Sequence, residues 1–310
     1  MRLALVTAIA AHTLDEDLAP LVAACMRVGL VPQVLAWDDP TVSWARHDAA
    51  ILRSPWDYSE RLPEFLAWCA RVDRVTTLLN PLPVLRWNTD KHYLADLAAA
   101  GVPVVASSFV EPDSDPLAAV QDFLSTHSEA TEFVVKPAVS AGARDTQRYA
   151  RAQVFAAANQ VGRLLEAGRS VLLQPYLASV DADGETALMY FEGMFSHAIR
   201  KGPLLRPDAD ATDALFAAEA ITVRTPGDDE HAVAEAVLAA MTRRLGLERA
   251  LPYARVDLIR AAGGQPQLLE LELTEPSLFF AHEEGSADRF ATMLAARLRA
   301  MRAPGRAVNA

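Results

Sequence analysis

The pattern most informative about the architecture of this chain lies in two segments, 253-YARVD-257 and 268-LLELELTEPS-277. The turn residues Ala262-Gly263-Gly264 between them predict that the two segments pair as a β-hairpin. Successive side chains of a strand point to opposite faces, so Glu270 and Glu272 are expected on one face. Pairing about the turn then brings Asp257 across from them. The other face is predicted to carry Leu269, Leu271 and Leu273.

The three carboxylates Asp257, Glu270 and Glu272 predict a cation site. Negative side chains that share a sheet face repel one another unless a cation lies between them. Hard oxygen ligands suit magnesium, which keeps water and substrate phosphates in its coordination shell. The alternative is a solvated sheet face of alternating charge. Against it, Arg255 is the only cation that alternates onto the carboxylate side, and the partner strand has no lysine.

The first ninety or so residues alternate strand and helix patterns. Short buried-strand runs at 3–7, 33–37 and 49–52 alternate with helical spacing at 18–28 and 62–72. This order predicts a parallel sheet with helices on its faces. Ligands of such sheets bind at the carboxyl ends of the strands. The polar cluster after the third strand is therefore predicted to bind substrate, with a solvated loop as the alternative; its members are Arg53, Trp56, Asp57 and Tyr58.

The remaining two thirds of the chain predict a mixture of strands and helices without an internal repeat. A helix at 92–100, capped by Thr89 or Asp90, precedes a short strand at 104–107. A strand at 133–135 leads into Lys136. Further strands are expected at 170–173, 186–191, 194–200, 254–260 and 267–273, and further helices up to 124 and at 154–168, 229–245 and 286–301.

Isolated cations suggest how an anionic ligand would be held. Lys136 is followed by the small-residue loop 140–143, whose backbone N–H groups could approach phosphates closely. This loop is neither a Walker P-loop nor a dinucleotide-binding fingerprint. Arg200 and Lys201 could hold a triphosphate or a carboxylate, whereas His197 fits a packed structural histidine better.

Composition narrows the class of protein. A net charge of −11 over 310 residues argues against a broad nucleic-acid surface, and we expect no nucleic-acid partner. No run approaches the ~18 apolar residues of a membrane helix. Cys25 and Cys69 lie in apolar stretches and fit buried reduced thiols, which favours a cytoplasmic protein.

Taken in chain order, these strands, lysines and carboxylates resemble the ATP-grasp superfamily, and in particular its small RimK-like carboxylate–amine ligases. The resemblance runs from about residue 88 to residue 277. It implies an α/β fold in which an N-terminal parallel α/β domain (1–90) precedes two α+β subdomains that clamp a nucleotide. These are a central lid subdomain (91–176) and a C-terminal subdomain with the metal site (177–310).

The resemblance also implies roles for individual residues. The nucleotide would be contacted by Lys91, Lys136, Ser140 and Gly142. The hinge that reads adenine would be formed by Gln174, Tyr176 and Leu177. Glu185 would contact the ribose. Catalytic charge neutralisation would come from Arg255 and Arg200, and magnesium binding (with Mn²⁺ as a substitute) from Asp257, Glu270 and Glu272. Thr274, Glu275 and Ser277 fall where such enzymes often contact the substrate. One departure is Glu272, where many ATP-grasp ligases have asparagine.

The implied function is an ATP-dependent ligase for a small amino-acid-like carboxylate. The carboxylate attacks the γ-phosphate to give an acyl phosphate, which an amine then displaces. The amine could belong to the same molecule or to a second substrate. A nucleotide-binding regulatory protein without turnover is the alternative from another class. A homo-oligomer is compatible with all three.

Overall fold

The computed structural model describes residues 1–205 and 220–302. Both stretches outside this description, 206–219 and 303–310, fall in the predicted C-terminal subdomain. The described residues form three sheets with helices packed against them. The mixed α/β architecture expected from the sequence is confirmed.

The first sheet is parallel, as predicted, with the strand order β2-β1-β3-β4. Its strands are β1 (Arg2–Thr7), β2 (Val31–Ala36), β3 (Ala49–Ser54) and β4 (Thr77–Leu79), and its helices are α1 (Leu18–Arg27) and α2 (Leu62–Val72). Two short helices follow, α3 (Leu82–Asn88) and α4 (Tyr93–Ala99). Helix α3 was not predicted, and no side chain caps α4, although Asp90 accepts a hydrogen bond from the backbone N–H of His92.

The second sheet is antiparallel, with the order β5-β8-β6-β7, and carries two helices. Its elements are β5 (Ser108–Val110), α5 (Pro116–Thr126), β6 (Glu132–Pro137), β7 (Gln147–Ala150), α6 (Val154–Glu166) and β8 (Val171–Pro175). The strand predicted at 104–107 is wrong, because only Val104 there forms an isolated bridge, with Leu268. The strand itself begins at Ser108.

The third sheet has the order β11-β10-β9-β12-β13 and contains both predicted hairpins. Its elements are α7 (Ser179–Asp183), β9 (Glu185–Phe191), β10 (Met194–Lys201), β11 (Ile221–Arg224), α8 (Asp228–Leu245), β12 (Tyr253–Arg260), β13 (Pro266–Glu272) and α9 (Ser286–Arg302). One face packs against α8, and the other packs with α1 and α9 into a shared core. No helix among the described residues is long and apolar enough to cross a membrane.

The β12–β13 pairing determines where the acidic side chains lie. Asp257 pairs with Glu270 and Arg255 pairs with Glu272, as the sequence predicted. The next pair is Leu258 with Leu268, so Leu269 is an extra residue in β13. Such a β-bulge redirects side chains locally. The prediction that Leu269 faces away from the glutamates is therefore wrong: Leu269 lines the same cleft as Glu270.

Candidate active site

A cleft lies between the second and third sheets, and its lining changes from apolar to charged. The apolar part is a satellite cluster built around Val105, Val180 and Ile259, with Tyr176, Leu177 and Leu269 packed against it. The charged part contains Lys91, Lys136, Lys201, Arg255, Glu270 and Glu272. A ligand in which a flat apolar ring is joined to a chain of phosphates would fit a cleft with one apolar and one charged part.

All three lysines of the chain line this cleft, whereas every other basic side chain apart from histidine is an arginine. A lysine on a protein surface is ordinarily a solvated residue, so three of three in one cleft indicates an anionic ligand. Taken singly, Lys91 and Lys136 are weak sequence signals, and no specific role was predicted for Lys201. The sequence has only three lysines, and this scarcity is the signal that could have grouped Lys91, Lys136 and Lys201 into one site.

Lys91 connects the small-residue loop to the carboxylate strand. Its Nζ donates to the backbone oxygen of Ser140 at 3.0 Å and to Ser140 Oγ at 3.2 Å, and it lies 3.0 Å from Glu270 Oε1. In the same loop, Gly142 has a φ of 62°, a backbone conformation that favours glycine. The loop therefore takes its position from a cation that also faces the cleft.

Asp257 is held by two cations and is almost fully buried. Arg255 Nε donates to one carboxylate oxygen at 2.8 Å, and Lys201 Nζ donates to the other at 2.9 Å. Lys201 also lies 2.9 Å from Glu185 Oε2. Burial alone would raise the pKa of Asp257, but Arg255 and Lys201 lower it to about 2. Asp257 therefore stays ionised.

Glu270 and Glu272 reach the cleft with different electrostatic surroundings. Burial acts to raise the pKa of Glu270, but Lys91 and Lys136 lower it below its usual value. Glu272 is paired with Arg255. Burial, together with the charges of Asp257 and Glu270, nevertheless raises the pKa of Glu272 to about 8. A further cation beside Glu272 would therefore favour its ionised form.

The fit to a divalent cation rests on the chemistry of the oxygen donors. Within residues 1–205 and 220–302, no group of three His, Cys, Asp or Glu side chains is arranged to hold a metal. Two carboxylates that line the cleft still present the hard oxygen donors that magnesium prefers. Asp257 would join Glu270 and Glu272 only if Arg255 or Lys201 released one of its oxygens.

The predicted hinge residues line the apolar part of the cleft. Gln174, Tyr176, Leu177 and Glu185 all belong to the lining. The Tyr176 hydroxyl donates to Asp181 at 2.6 Å, and the guanidinium of Arg148 lies 3.5 Å from the centre of the Tyr176 ring. The sequence analysis missed the apolar partners from distant elements, Val105, Val134, Ile259 and Leu269.

Arg200 does not belong to the cleft lining described by the structure. Its guanidinium donates to the backbone oxygens of Asp183 and Ala182 at 2.7 and 2.9 Å. Adjacent residues of a strand face opposite ways, so β10 directs Lys201, rather than Arg200, toward the carboxylates. The catalytic role predicted for Arg200 has no geometric support in this arrangement; Lys201 is the residue of this pair that contacts the carboxylates Glu185 and Asp257.

The predicted substrate residues divide into two sets. Trp56 and Ser277 line the cleft, whereas the others are buried in structural contacts. Asp57 accepts from Trp37 Nε1 at 2.8 Å and pairs with Arg61, and Thr274 Oγ1 donates to Asn88 at 3.3 Å. Tyr58 is 3 % exposed and bonds to Glu275. These contacts position neighbouring loops instead of facing a ligand.

Arg53, which was predicted to contact substrate, is buried in contacts with other parts of the chain. Its side chain is fully buried, and its Nη2 donates to the backbone oxygen of Pro276 at 2.9 Å. Beside it, Asp17 accepts from the backbone N–H groups of Leu278, Phe279 and Phe280 at 2.6 to 3.1 Å. The first sheet thus fixes the loop that continues from β13 and carries Ser277 to the cleft.

Asp17→Asn is expected to lower the free energy of unfolding by about 3 kcal/mol, because an amide has one acceptor oxygen and makes weaker hydrogen bonds than a carboxylate. Urea-induced unfolding measures the change. Asp288→Asn is the matched control: its pair with Arg27 is half exposed, so its loss should cost less than about 1 kcal/mol. Equal losses in the two variants would contradict the role of Asp17.

The fold and the cleft together define an ATP-grasp protein. ATP-grasp ligase PsnB, solved with a minimal precursor, Mg and ADP, has a TM-score of 0.62 to this chain at 20 % identity, and the match covers 96 % of this chain and 98 % of that one. At this identity the likeness concerns the fold alone.

Closer relatives give the family. The model of the N-terminal domain of D-cycloserine synthetase DcsG matches residues 3–80. Cycloserine biosynthesis protein DcsG of Streptomyces lavendulae is 49 % identical over 297 residues, which are 96 % of this chain and 99 % of that protein. The crystal structure of D-cycloserine synthetase DcsG has a TM-score of 0.92 at 48 % identity and covers 96 % of this chain and 100 % of that one. The chain belongs to the DcsG family of ATP-grasp enzymes and is an ATP-dependent ligase that forms C–N bonds.

Proposed function

We propose that this protein uses ATP and magnesium to activate the carboxylate of a small amino-acid-like substrate, and that an amine of the same molecule closes the ring. O-ureidoserine is the proposed substrate and cycloserine the proposed product. The observation that carries the proposal is the cleft in which three lysines and Arg255 face Glu270 and Glu272. The identity to cycloserine biosynthesis protein DcsG supports the choice of substrate.

The nucleotide is proposed to lie along the cleft with adenine in its apolar part. The backbone of 174–177 would read the adenine edge, and Glu185 would accept from the ribose hydroxyls. Lys91, Lys136 and the backbone of the loop 140–143 would then face the phosphates. Lys201 and Arg255 lie at the opposite wall, beside the carboxylates, where they would neutralise charge on the γ-phosphate as it transfers.

Magnesium is proposed to bind at Glu270 and Glu272, with Asp257 as a further ligand, and Mn²⁺ as a substitute. When bound, the ion would act as a Lewis acid that neutralises the negative charge developing on the transferring phosphoryl group. The side chains of this chain then orient the reactants. Lys91 holds the loop against the phosphates, and Arg255 holds Asp257 and Glu272 in place.

The proposed reaction consists of two displacements and a hydrolysis, which together balance in atoms. The substrate carboxylate attacks the γ-phosphorus, the bond to ADP breaks, and an acyl phosphate forms. The ureido nitrogen bound to oxygen then attacks the acyl carbon, which forms the C–N bond of a five-membered ring and expels phosphate. Because cycloserine has no carbamoyl group, water must remove that group as carbamic acid, which gives CO₂ and ammonia.

An ADP-release assay with O-ureidoserine as the only added acid tests this function, with cycloserine identified by mass spectrometry. We expect ADP and cycloserine to form together without an added amine. A strict requirement for a second amine would refute ring closure and favour an intermolecular ligase. ATP hydrolysis that no small acid stimulates would refute both and favour a regulatory nucleotide-binding protein.

A further inference from the structure

One carboxylate in the cleft, Glu275, is not in contact with any cation of residues 1–205 and 220–302. It lies three residues beyond β13 and lines the cleft together with Trp56 and Ser277. Among the described residues, no Lys, Arg or His nitrogen lies within 4.0 Å of its oxygens, so it forms no ion pair there. The nearby cations are already engaged: Lys91 contacts Glu270, and Arg255 contacts Asp257 and Glu272.

The position of Glu275 is nevertheless tightly determined. Trp56 Nε1 donates to its backbone oxygen at 3.1 Å, and Arg53 donates to the backbone oxygen of the next residue, Pro276. The hydroxyl of Tyr58 donates to its carboxylate. Tyr58 is 3 % exposed, so this hydroxyl cannot turn toward solvent. A side chain held in this way loses little conformational freedom when it binds a ligand.

Glu275 is half-buried, and a carboxylate in such a place without a contacting cation is costly unless a ligand supplies the opposite charge. The neighbouring charges of Glu270 and Glu272 increase that cost. Phosphates cannot bind there, because they would add negative charge. The group that fits is a cation at the end of the cleft beyond the metal carboxylates. An α-amino acid has such a cation one carbon from the carboxylate that is to be phosphorylated.

We propose that Glu275 binds the α-ammonium group of the substrate and so makes the enzyme selective for amino acids over the corresponding acids without an amino group. This inference rests on the proposed function, because it assigns the amino group of the same small acid. Trp56 supports the site, because it lines the cleft, contacts Glu275 through its Nε1, and belongs to a side-chain type that binds cations favourably. Tyr58 acts as a positioning residue that orients the carboxylate.

The test compares the binding of two compounds, O-ureidoserine and its analogue with hydrogen in place of the α-amino group. Calorimetry with magnesium and a non-hydrolysable ATP analogue gives a dissociation constant for each. Wild type is expected to bind the amino compound about 30-fold more tightly. Glu275→Gln should remove this preference by weakening the binding of the amino compound alone. Glu284→Gln, an exposed glutamate outside the cleft lining, should leave it unchanged.

Tyr58→Phe gives a second measurement if Glu275→Gln fails to fold. It keeps the ring and the carboxylate but removes the orienting hydroxyl, so the preference should fall about threefold. An unchanged preference in Glu275→Gln, or in Tyr58→Phe if that variant alone is folded, overturns the inference. So does equal binding of the two compounds by wild type, including no binding of either.

The two proposals fail in different ways. A clear preference for the amino compound that depends on Glu275, without any cycloserine formed, refutes ring closure and supports the ammonium site. Cycloserine formation by wild type with an unchanged preference in Glu275→Gln refutes the ammonium site alone.

Discussion

Glu270→Gln is expected to lower kcat for ADP release by about 1000-fold while the protein still unfolds cooperatively. The substitution keeps the shape of the side chain and removes the charge that pairs with Lys91 and that we propose for the metal. Lys91 keeps its two bonds to Ser140, so the loop keeps one of its attachments. Coupled ADP release gives kcat, and thermal unfolding monitored by circular dichroism reports the fold.

Glu248→Gln is the matched control for this variant, because Glu248 is exposed and lies outside the cleft lining. It should keep the wild-type rate. If Glu270→Gln keeps more than about a tenth of the wild-type kcat, the side chain contributes far less than a ligand of the phosphoryl-transfer metal should, and the metal assignment is contradicted. Asp257→Asn is a less informative test, because it removes a charge that Arg255 and Lys201 share and so disturbs both cations at once.

Lys136→Met is expected to weaken the binding of ATP by about 30-fold near neutral pH, because a charge-assisted hydrogen bond to phosphate is lost. The wild-type affinity should also depend on pH. Burial lowers the pKa of Lys136 to about 8. Lys136 is therefore charged below that pH and becomes neutral as the pH rises through it, whereas an exposed lysine stays charged to about pH 10. Affinity should fall over the same range.

Calorimetry with a non-hydrolysable ATP analogue, from about pH 7 to about pH 9.5, measures both effects. Wild type should lose affinity above about pH 8, whereas Lys136→Met should lack this component. Arg163→Met is the control: it removes a positive charge from an exposed position on α6 of the same sheet layer. A parallel pH dependence in wild type and Lys136→Met would show that another group titrates, and an unchanged affinity would exclude Lys136 from phosphate binding.

The sequence predicted the carboxylate hairpin well because alternation and turn chemistry are both local. Asp257 pairs with Glu270 in the structure, as expected. The face of the bulged residue Leu269 was missed, because an inserted strand residue leaves no trace in an alternating pattern. The extra leucine merely continues the apolar run of β13.

The sequence pointed to Arg200 instead of Lys201 for a related reason. Strand β10 is buried on both faces: Ala198 packs in one core cluster and Ile199 in the other. A strand of this kind shows no apolar–polar alternation, so the sequence cannot tell which of two adjacent cations faces the cleft. Only the pairing of β10 with β9 determines it.

The strand-end cluster shows a third limit. Arg53 lies at the carboxyl end of β3, the edge where parallel sheets bind ligands, yet it contacts Pro276, which is 223 residues away along the chain. A polar residue at such an edge can meet solvent, a ligand or another part of the same chain. The choice depends on how the sheets pack, and local sequence does not encode it. Trp56, from the same cluster, does reach the cleft.

The distribution of lysine has a practical consequence for handling the protein. Apart from the chain terminus, every primary amine of the polypeptide lies in the cleft. Fluorescent labelling and coupling to activated resins commonly acylate or reductively alkylate amines. Such reagents would modify the lysines of the cleft, because no lysine lies elsewhere. Attachment through the cysteines is no better, since Cys25 and Cys69 are buried. Immobilisation that preserves activity should therefore use an added tag or an engineered surface thiol.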